Sequence, residues 1–131
     1  MSADKRFKPR MSRRIAVDFF AQFIWNNEFR DGRVKELSDG GMLVEVPAAK
    51  ALVKDDATKF SVFYHENDKP MEVSGKILYH HNEGRPEGIV GMGIQFIAPS
   101  MDVKRKLQII IKDPSYNTMF FRRSLKKPDE K

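Results

Sequence analysis

Apolar residues recur at every second position over much of the chain, which is the pattern of β-strands that bury one face. The first such stretch predicts a long strand, with apolar residues at Ile15, Val17, Phe19, Ala21, Phe23 and Trp25. Residues 26–32 contain the turn-forming pairs Asn-Asn and Asp-Gly and are predicted to form a turn. Residues 33–37 predict a second strand. A third strand follows before Pro47, alternating at Met42, Val44 and Val46.

Three more strands follow in the second half of the chain. Their alternating apolar positions are Phe60, Val62 and Tyr64 in the fourth, Met71, Val73, Ile77 and Tyr79 in the fifth, and Val90, Met92, Ile94 and Phe96 in the sixth. Gly75 predicts a bend or bulge, while Gly91 and Gly93 allow another backbone to approach closely. Six short strands separated by turn signals predict an all-β fold, a six-stranded antiparallel β-barrel.

The apolar spacing changes from two to three or four residues after Ser100, which is a plausible helix N-cap. Val103, Leu107, Ile110 and Ile111 then predict a C-terminal amphipathic α-helix that packs on the barrel and ends at Asp113-Pro114. Residues 116–121 are predicted to add a short turn or helix, with Phe120 and Phe121 packed back. The expected organisation is a flexible basic arm (1–14), one folded domain (15–121) and a disordered basic tail (122–131).

Composition narrows the possible functions. The 131 residues fit one domain and include no cysteine, which excludes disulfides and thiolate metal sites. No apolar run is long enough for a signal peptide or a membrane span, so we expect a cytoplasmic protein. The net charge of +6 lies in the two tails, with +5 in residues 1–14 and +3 in residues 122–131, so the body is close to neutral. General nucleic-acid binding, which more often uses a basic face of the fold, is therefore disfavoured.

Two short segments carry the candidate chemistry. Arginines lie just before the first strand, and a turn with hydroxyl and glycine residues follows the second; the candidate ligand-binding residues are Arg10, Arg13, Arg14, Glu36, Ser38, Gly40 and Gly41. Arginine forks bind phosphates and guanine edges, and glycine amides permit a close approach to an anion. In an antiparallel barrel both segments can face one surface, which predicts a site for a compact, guanine-bearing phosphodiester.

At these residues the sequence resembles the PilZ domain family. That family has Arg-x-x-x-Arg before the first strand, matched here by Arg10 and Arg14, and Asp/Asn-x-Ser-x-x-Gly after the second, matched by Ser38 and Gly41. The resemblance implies a six-stranded barrel with a C-terminal helix that binds cyclic di-GMP and acts through a partner protein. It implies no catalytic residue and no cofactor.

One position departs from the family pattern. Glu36 stands where the family has Asp or Asn, and the longer side chain either still accepts guanine N–H donors, pairs with an arginine, or weakens binding. Two alternatives therefore stay open: a PilZ-like adaptor that binds proteins and no nucleotide, and a small nucleic-acid-binding barrel. We expect no enzyme and no metal site, since His80 and His81 are adjacent in a strand and point to opposite faces.

Overall fold

The computed structural model describes residues 14–65 and 68–116. In these ranges the chain forms β1 (Ile15–Trp25), β2 (Glu28–Leu37), β3 (Gly41–Pro47), β4 (Ala57–Phe63), β5 (Met71–His81), β6 (Ile89–Phe96) and the helix α1 (Met101–Lys112). All neighbouring strands are antiparallel, and the barrel closes in the order β1-β2-β3-β6-β5-β4. The predicted fold class, a six-stranded antiparallel barrel with one C-terminal helix, is confirmed.

The first hairpin is longer than predicted. Its turn consists of Asn26 and Asn27 alone, at φ 54° and 63°, and Trp25 pairs directly with Glu28. Asparagine tolerates this left-handed conformation, and such two-residue turns match the twist of the flanking strands. The predicted turn over 26–32 was too long, because Glu28, Arg30 and Asp31 are polar and residues 28–31 show no alternation of apolar residues that would indicate a strand. Arg30 nevertheless has a side chain only 13% exposed, and it donates to the Lys50 carbonyl at 3.1 Å.

The core lies inside the barrel and beneath α1. It contains the inward residues of the strands, among them Phe23 and Phe60, whose ring centroids lie 5.0 Å apart. The helix buries Val103, Leu107, Ile110 and Ile111, as its spacing predicted. Ser100 caps it, because its hydroxyl oxygen accepts from the Val103 N–H at 3.1 Å. The predicted cap and the predicted helix end are both confirmed.

Two of the three irregularities in strand pairing change which residues face outward. The third, between Ala16 and Phe19 of β1, leaves the alternation of buried residues intact. In β2 the register against β3 shifts between Val34 and Glu36, and both Val34 and Leu37 are fully buried. In β5 the register against β6 shifts between Ile77 and Tyr79. An extra residue in one strand bends it and redirects the side chains that follow. As a result Glu36 is exposed and Tyr79 is 46% exposed, so the expectation that Tyr79 faces the core was wrong.

The predicted bend at Gly75 was also wrong. Gly75 pairs regularly with Thr58 on β4 and Phe96 on β6. It is needed for space, because a Cβ atom there would overlap the Ile94 side chain. The bulge of β5 therefore lies three residues further along, at Leu78.

The remaining segments are short connections. Ala48–Lys50 and Pro114–Tyr116 form single 3-10 turns, and neither was predicted with these bounds. The turn or helix predicted over 116–121 lies, apart from Tyr116, outside the described residues. Tyr64 follows β4 and packs against the core. Phe120, Phe121 and the tail from 122 onward lie outside the described residues, as does the arm before Arg14, so those domain bounds stay predictions. In the described part of the chain no helix is long and apolar enough to cross a membrane.

Candidate functional site

The candidate site lies on the outer wall formed by β2, β3, β6 and β5. Register places four residues side by side across this wall: Glu36 opposite Leu43, Leu43 opposite Gly93, and Gly93 opposite Tyr79. Both bulges fall on this row, and each turns its following side chain away from the core. Bulges are common beside binding sites for this reason.

A cavity of about 240 Å³ opens beside this row, bounded by the turn between β2 and β3 and by residues of β5 and β6. Of the seven predicted ligand-binding residues, five line it: Arg14, Glu36, Ser38, Gly40 and Gly41. The hairpin explains how they meet, since Ile15 pairs with Leu37 and the end of β2 therefore lies beside Arg14. Arg10 and Arg13 lie outside the described residues.

The turn between β2 and β3, residues 38–41, is fixed by its own hydrogen bonds. The Ser38 N–H donates to the Gly41 carbonyl at 2.9 Å, and the Ser38 hydroxyl oxygen accepts from the Gly40 N–H at 3.3 Å. A second contact joins the turn to β6, where the Phe96 N–H donates to the Gly40 carbonyl at 3.0 Å. The serine hydroxyl is thereby held at the rim of the cavity.

The two glycines of this turn differ in their surroundings. A Cβ atom on Gly41 would overlap the carbonyl oxygen of Ile94, with which β3 is in close contact. A Cβ atom on Gly40 would have no heavy atom within 4 Å. Gly41 is therefore required by the packing of β3 on β6, whereas Gly40 leaves open space toward the cavity.

Arg14 and Glu36 form an ion pair at the mouth of the cavity. Their Nη1 and Oε1 atoms are 3.7 Å apart, and their side chains are 68% and 47% exposed. Exposed pairs of this length contribute little to stability, about 0–1 kcal/mol. The arginine is therefore held loosely enough to exchange Glu36 for another anion. Pairing with an arginine was one of the roles considered for Glu36, and the structure shows this pairing.

Tyr79 is the main residue that the sequence analysis missed. Its ring lies against Gly93, because a Cβ atom on Gly93 would overlap three atoms of that ring. Leu78, 37% exposed, lines the cavity next to it. Strict alternation placed Tyr79 in the core, and only the extra residue at Leu78 reverses this. The Gly-x-Gly spacing of Gly91 and Gly93 was the available signal, since it leaves room for large side chains from a neighbouring strand.

Gly91 likewise leaves room for a large side chain from a neighbouring segment, that of Arg85. The Arg85 guanidinium lies over Gly91, with its Nε 2.9 Å from a Glu45 carboxylate oxygen. It also contacts His81 Nδ1 through Nη1 at 2.7 Å, while His80 bonds the Leu52 carbonyl at 2.6 Å. The two histidines thus have separate partners. Within residues 14–65 and 68–116, no group of three or more acidic, histidine or cysteine side chains could hold a metal ion.

Asp18 on β1 forms ion pairs with Arg33 and Lys35 on β2, the strand at the edge of this wall. Partial burial acts to raise its pKa, but the hydrogen bond and charge of Arg33, together with Lys35, outweigh it, so the pKa is lowered from its ordinary value of 3.8. The Asp18 carboxylate lies 2.9 Å from Arg33 and 3.3 Å from Lys35. A single carboxylate on β1 thus pairs with two cations on β2 and offsets part of their positive charge.

Comparison with known proteins gives one family. A family model described as the PilZ domain matches residues 4–113. Among solved structures, the chain is similar to the PilZ domain with c-di-GMP of YcgR from Escherichia coli, at 19% identity and a TM-score of 0.67, over 92% of this chain and 97% of that one. No curated protein was matched.

Two longer structures show the same fold. The structure of YcgR in complex with c-di-GMP from Escherichia coli matches at 20% identity and a TM-score of 0.63, over 91% of this chain and 49% of that one. The Bacillus subtilis inhibitor of motility, MotI/DgrA, matches at 14% identity and a TM-score of 0.64, over 90% and 52%. The chain therefore spans about half the length of these two proteins.

Proposed function

The chain belongs to the PilZ domain family, and on that premise we propose that it is a receptor for cyclic di-GMP that binds the nucleotide in the cavity beside the 38–41 turn. PilZ domains are receptors and not enzymes. The observation that carries the proposal is the cavity itself, because it gathers Arg14 with Glu36, Ser38, Gly40 and Gly41, which are separated in sequence. The two YcgR structures similar to this chain both contain c-di-GMP, which supports the choice of ligand.

Each lining residue has a chemical role in this proposal. The Arg14 guanidinium, joined by Arg10 and Arg13, binds the phosphates and the O6 and N7 acceptors of guanine. The Ser38 hydroxyl and the open space at Gly40 allow the sugar-phosphate ring to approach the turn. Glu36 accepts guanine N–H donors or orients Arg14. Tyr79 offers a half-exposed ring on which a base can stack.

Ligand binding is proposed to act on a partner protein by changing the surface of the domain. Binding draws the arginines of residues 1–14 onto the cavity, and this ordered arm creates or covers a contact surface for a partner protein. The sequence of events is a population shift, in which the ligand favours the closed arm because only that state places the arginines on its phosphates. The receptor is proposed to act in the cytoplasm on a partner protein.

Isothermal titration tests the proposal directly. Purified protein at moderate salt is expected to bind cyclic di-GMP in preference to cyclic di-AMP and GTP, since only a guanine-bearing cyclic dinucleotide matches both the arginine forks and the turn. Arg14→Ala is expected to weaken binding by about 1–3 kcal/mol. Thermal unfolding should be unchanged, because the Arg14 side chain is 68% exposed. An absence of saturable heat with the wild-type protein would reject the receptor function.

A second candidate function is a protein-binding adaptor that holds no nucleotide. The observation that favours it is the Arg14–Glu36 ion pair, which already occupies an arginine that the ligand needs. Glutamate carries one methylene more than the family's Asp or Asn, which extends its carboxylate further from the backbone of β2.

Substitutions at Glu36 separate the two functions. In a receptor, Glu36→Asp should bind cyclic di-GMP as well as the wild type or more tightly, and Glu36→Ala should lose about 1–3 kcal/mol through unpaired donors. Ser38→Ala is the neighbouring control, since it removes a hydroxyl and leaves the carboxylate in place. If only Glu36→Asp binds, the natural glutamate disables the site and the adaptor function is correct.

A further inference from the structure

The side of the cavity that β5 and β6 form carries two further polar residues, Gln95 and Lys76. Gln95 lines the cavity, and register places it between Gly41 on β3 and Lys76 on β5. The side chains of Gln95 and Lys76 point outward, because the next residues of their strands, Phe96 and Ile77, belong to the core. This row therefore leads from the 38–41 turn across the cavity to β5.

Neither of these two side chains is engaged by the rest of the described protein. Within residues 14–65 and 68–116, Lys76 forms no ion pair, and the Gln95 carboxamide forms no hydrogen bond. Gln95 is exposed and Lys76 is half-buried. A half-buried lysine rests its apolar stem on the protein and keeps its ammonium group accessible. Both polar groups can therefore bind a ligand without first giving up a described partner.

The charges of the residues that line the cavity cancel. Among them Arg14 is the one cation and Glu36 the one anion, and these two form an ion pair. A cyclic dinucleotide carries two phosphate groups, so its binding calls for additional positive charge. Lys76 supplies such a charge, since it lies opposite Gln95 on β6 and two residues along β5 from Leu78, both of which line the cavity.

The size of the cavity indicates that a nucleotide extends beyond it. Its volume is about 240 Å³, whereas pockets that enclose a drug-sized ligand usually measure about 300–1,000 Å³. Only β6 separates Gly41 from Lys76, and neighbouring strands lie about 4.8 Å apart, so the two backbones are about 10 Å apart. A ligand that contacts the 38–41 turn and crosses β6 therefore comes within reach of Lys76.

We propose that Gln95 and Lys76 form a second binding edge of the cyclic di-GMP site, an inference that rests on the proposed function. The Lys76 ammonium group donates to a phosphate, for which it acts as a compact point charge. The Gln95 carboxamide bonds the edge of the base that stacks on Tyr79, because Gln95 lies about 7 Å along β6 from Gly93, the residue under the Tyr79 ring. A carboxamide both donates and accepts, so it suits the mixed donors and acceptors of guanine.

Matched substitutions test this edge by titration of the full chain with cyclic di-GMP. Lys76→Met keeps the apolar stem and removes the charge, and it is expected to weaken binding about tenfold. Lys59→Met is its control, because Lys59 is exposed on β4 outside the cavity and its loss changes the net charge equally. Gln95→Ala is likewise expected to weaken binding, and Gln22→Ala on β1 is its control outside the cavity. Both control variants should bind as the wild type does.

Lysine modification tests the same contact in the wild-type protein, where no substitution can disturb folding. Reductive methylation of Lys76, followed by mass spectrometry, is expected to slow under saturating cyclic di-GMP, whereas methylation of Lys59 should not change. Equal affinities within either pair of variants, or an unchanged methylation rate at Lys76, would overturn this edge and leave the receptor function standing. An absence of saturable binding by the wild type would overturn both.

Discussion

Single residues of the 38–41 turn have separable structural and binding roles. Gly41 is confined by the Ile94 carbonyl, whereas Gly40 faces open space. Both were predicted as ligand-binding residues on equal terms, because the turn motif contains both and the sequence does not reveal which neighbour lies against each. Substitution of these two glycines by the same side chain therefore gives a matched pair.

We expect Gly40→Ala to keep the thermal stability of the wild type and to weaken cyclic di-GMP binding, because the added methyl group occupies space that the nucleotide needs. Gly41→Ala should instead destabilise the fold by about 1–3 kcal/mol, since the strand pairing must open to admit the methyl group. Thermal unfolding and titration of both variants give the comparison. If Gly40→Ala binds as tightly as the wild type, the ligand does not approach the turn at that residue.

The strands and the helix illustrate what alternation predicts and where it fails. Buried faces with regular period two, as in β1 and β6, were predicted correctly, as was the capped helix. Alternation fails where an extra residue interrupts it, as at Leu78, because the pattern assumes an unbroken register. Alternation also fails where polar residues such as Arg30 lie at partly buried positions. The start of β2 was missed for this reason, because it shows no alternation of apolar residues. The candidate site was predictable at its motif residues but not at Tyr79.

The outward turn of Tyr79 leads to a prediction about base stacking. Tyr79→Phe is expected to keep cyclic di-GMP affinity, and Tyr79→Ala to lose about 1–3 kcal/mol, the scale of stacking between a base and an aromatic ring. Phe29→Ala is the control for loss of an exposed aromatic residue, since Phe29 is 67% exposed and lies outside the cavity. Equal affinities of the Tyr79→Ala and Phe29→Ala proteins would remove Tyr79 from the site.

At the scale of the whole molecule, the barrel separates two surfaces. The cavity lies on the wall of β2, β3, β6 and β5, whereas the exposed, paired residues Phe20 and Phe63 lie on β1 and β4. The ion pairs of Asp18 with Arg33 and Lys35 join β1 to β2 and bear on global stability instead.

The lowered pKa of Asp18 gives this stability a pH dependence. Its folded-state pKa lies below its ordinary value of 3.8, so the stabilisation is present above about pH 4 and is lost as the pH falls through the folded-state pKa. Urea unfolding between pH 2 and pH 7 should therefore show a smaller acid-induced loss for Asp18→Asn, by less than about 1 kcal/mol. Asp39→Asn, in the exposed turn, is the control and should follow the wild type. Parallel curves for Asp18→Asn and the wild type would contradict this role.

The tight hairpin between β1 and β2 has a consequence for how the protein is made. Starting from Asn26 and Asn27, each new pair of the ladder forms next to the previous one, so chain closure costs little entropy at every step. Isolated hairpins form on a time scale of about 1–10 μs. The last pair to close, Ile15 with Leu37, brings Arg14 to the 38–41 turn. Both motif segments of the candidate site are therefore brought together by pairing that is local in sequence, and the remaining strands stabilise this hairpin when the barrel closes.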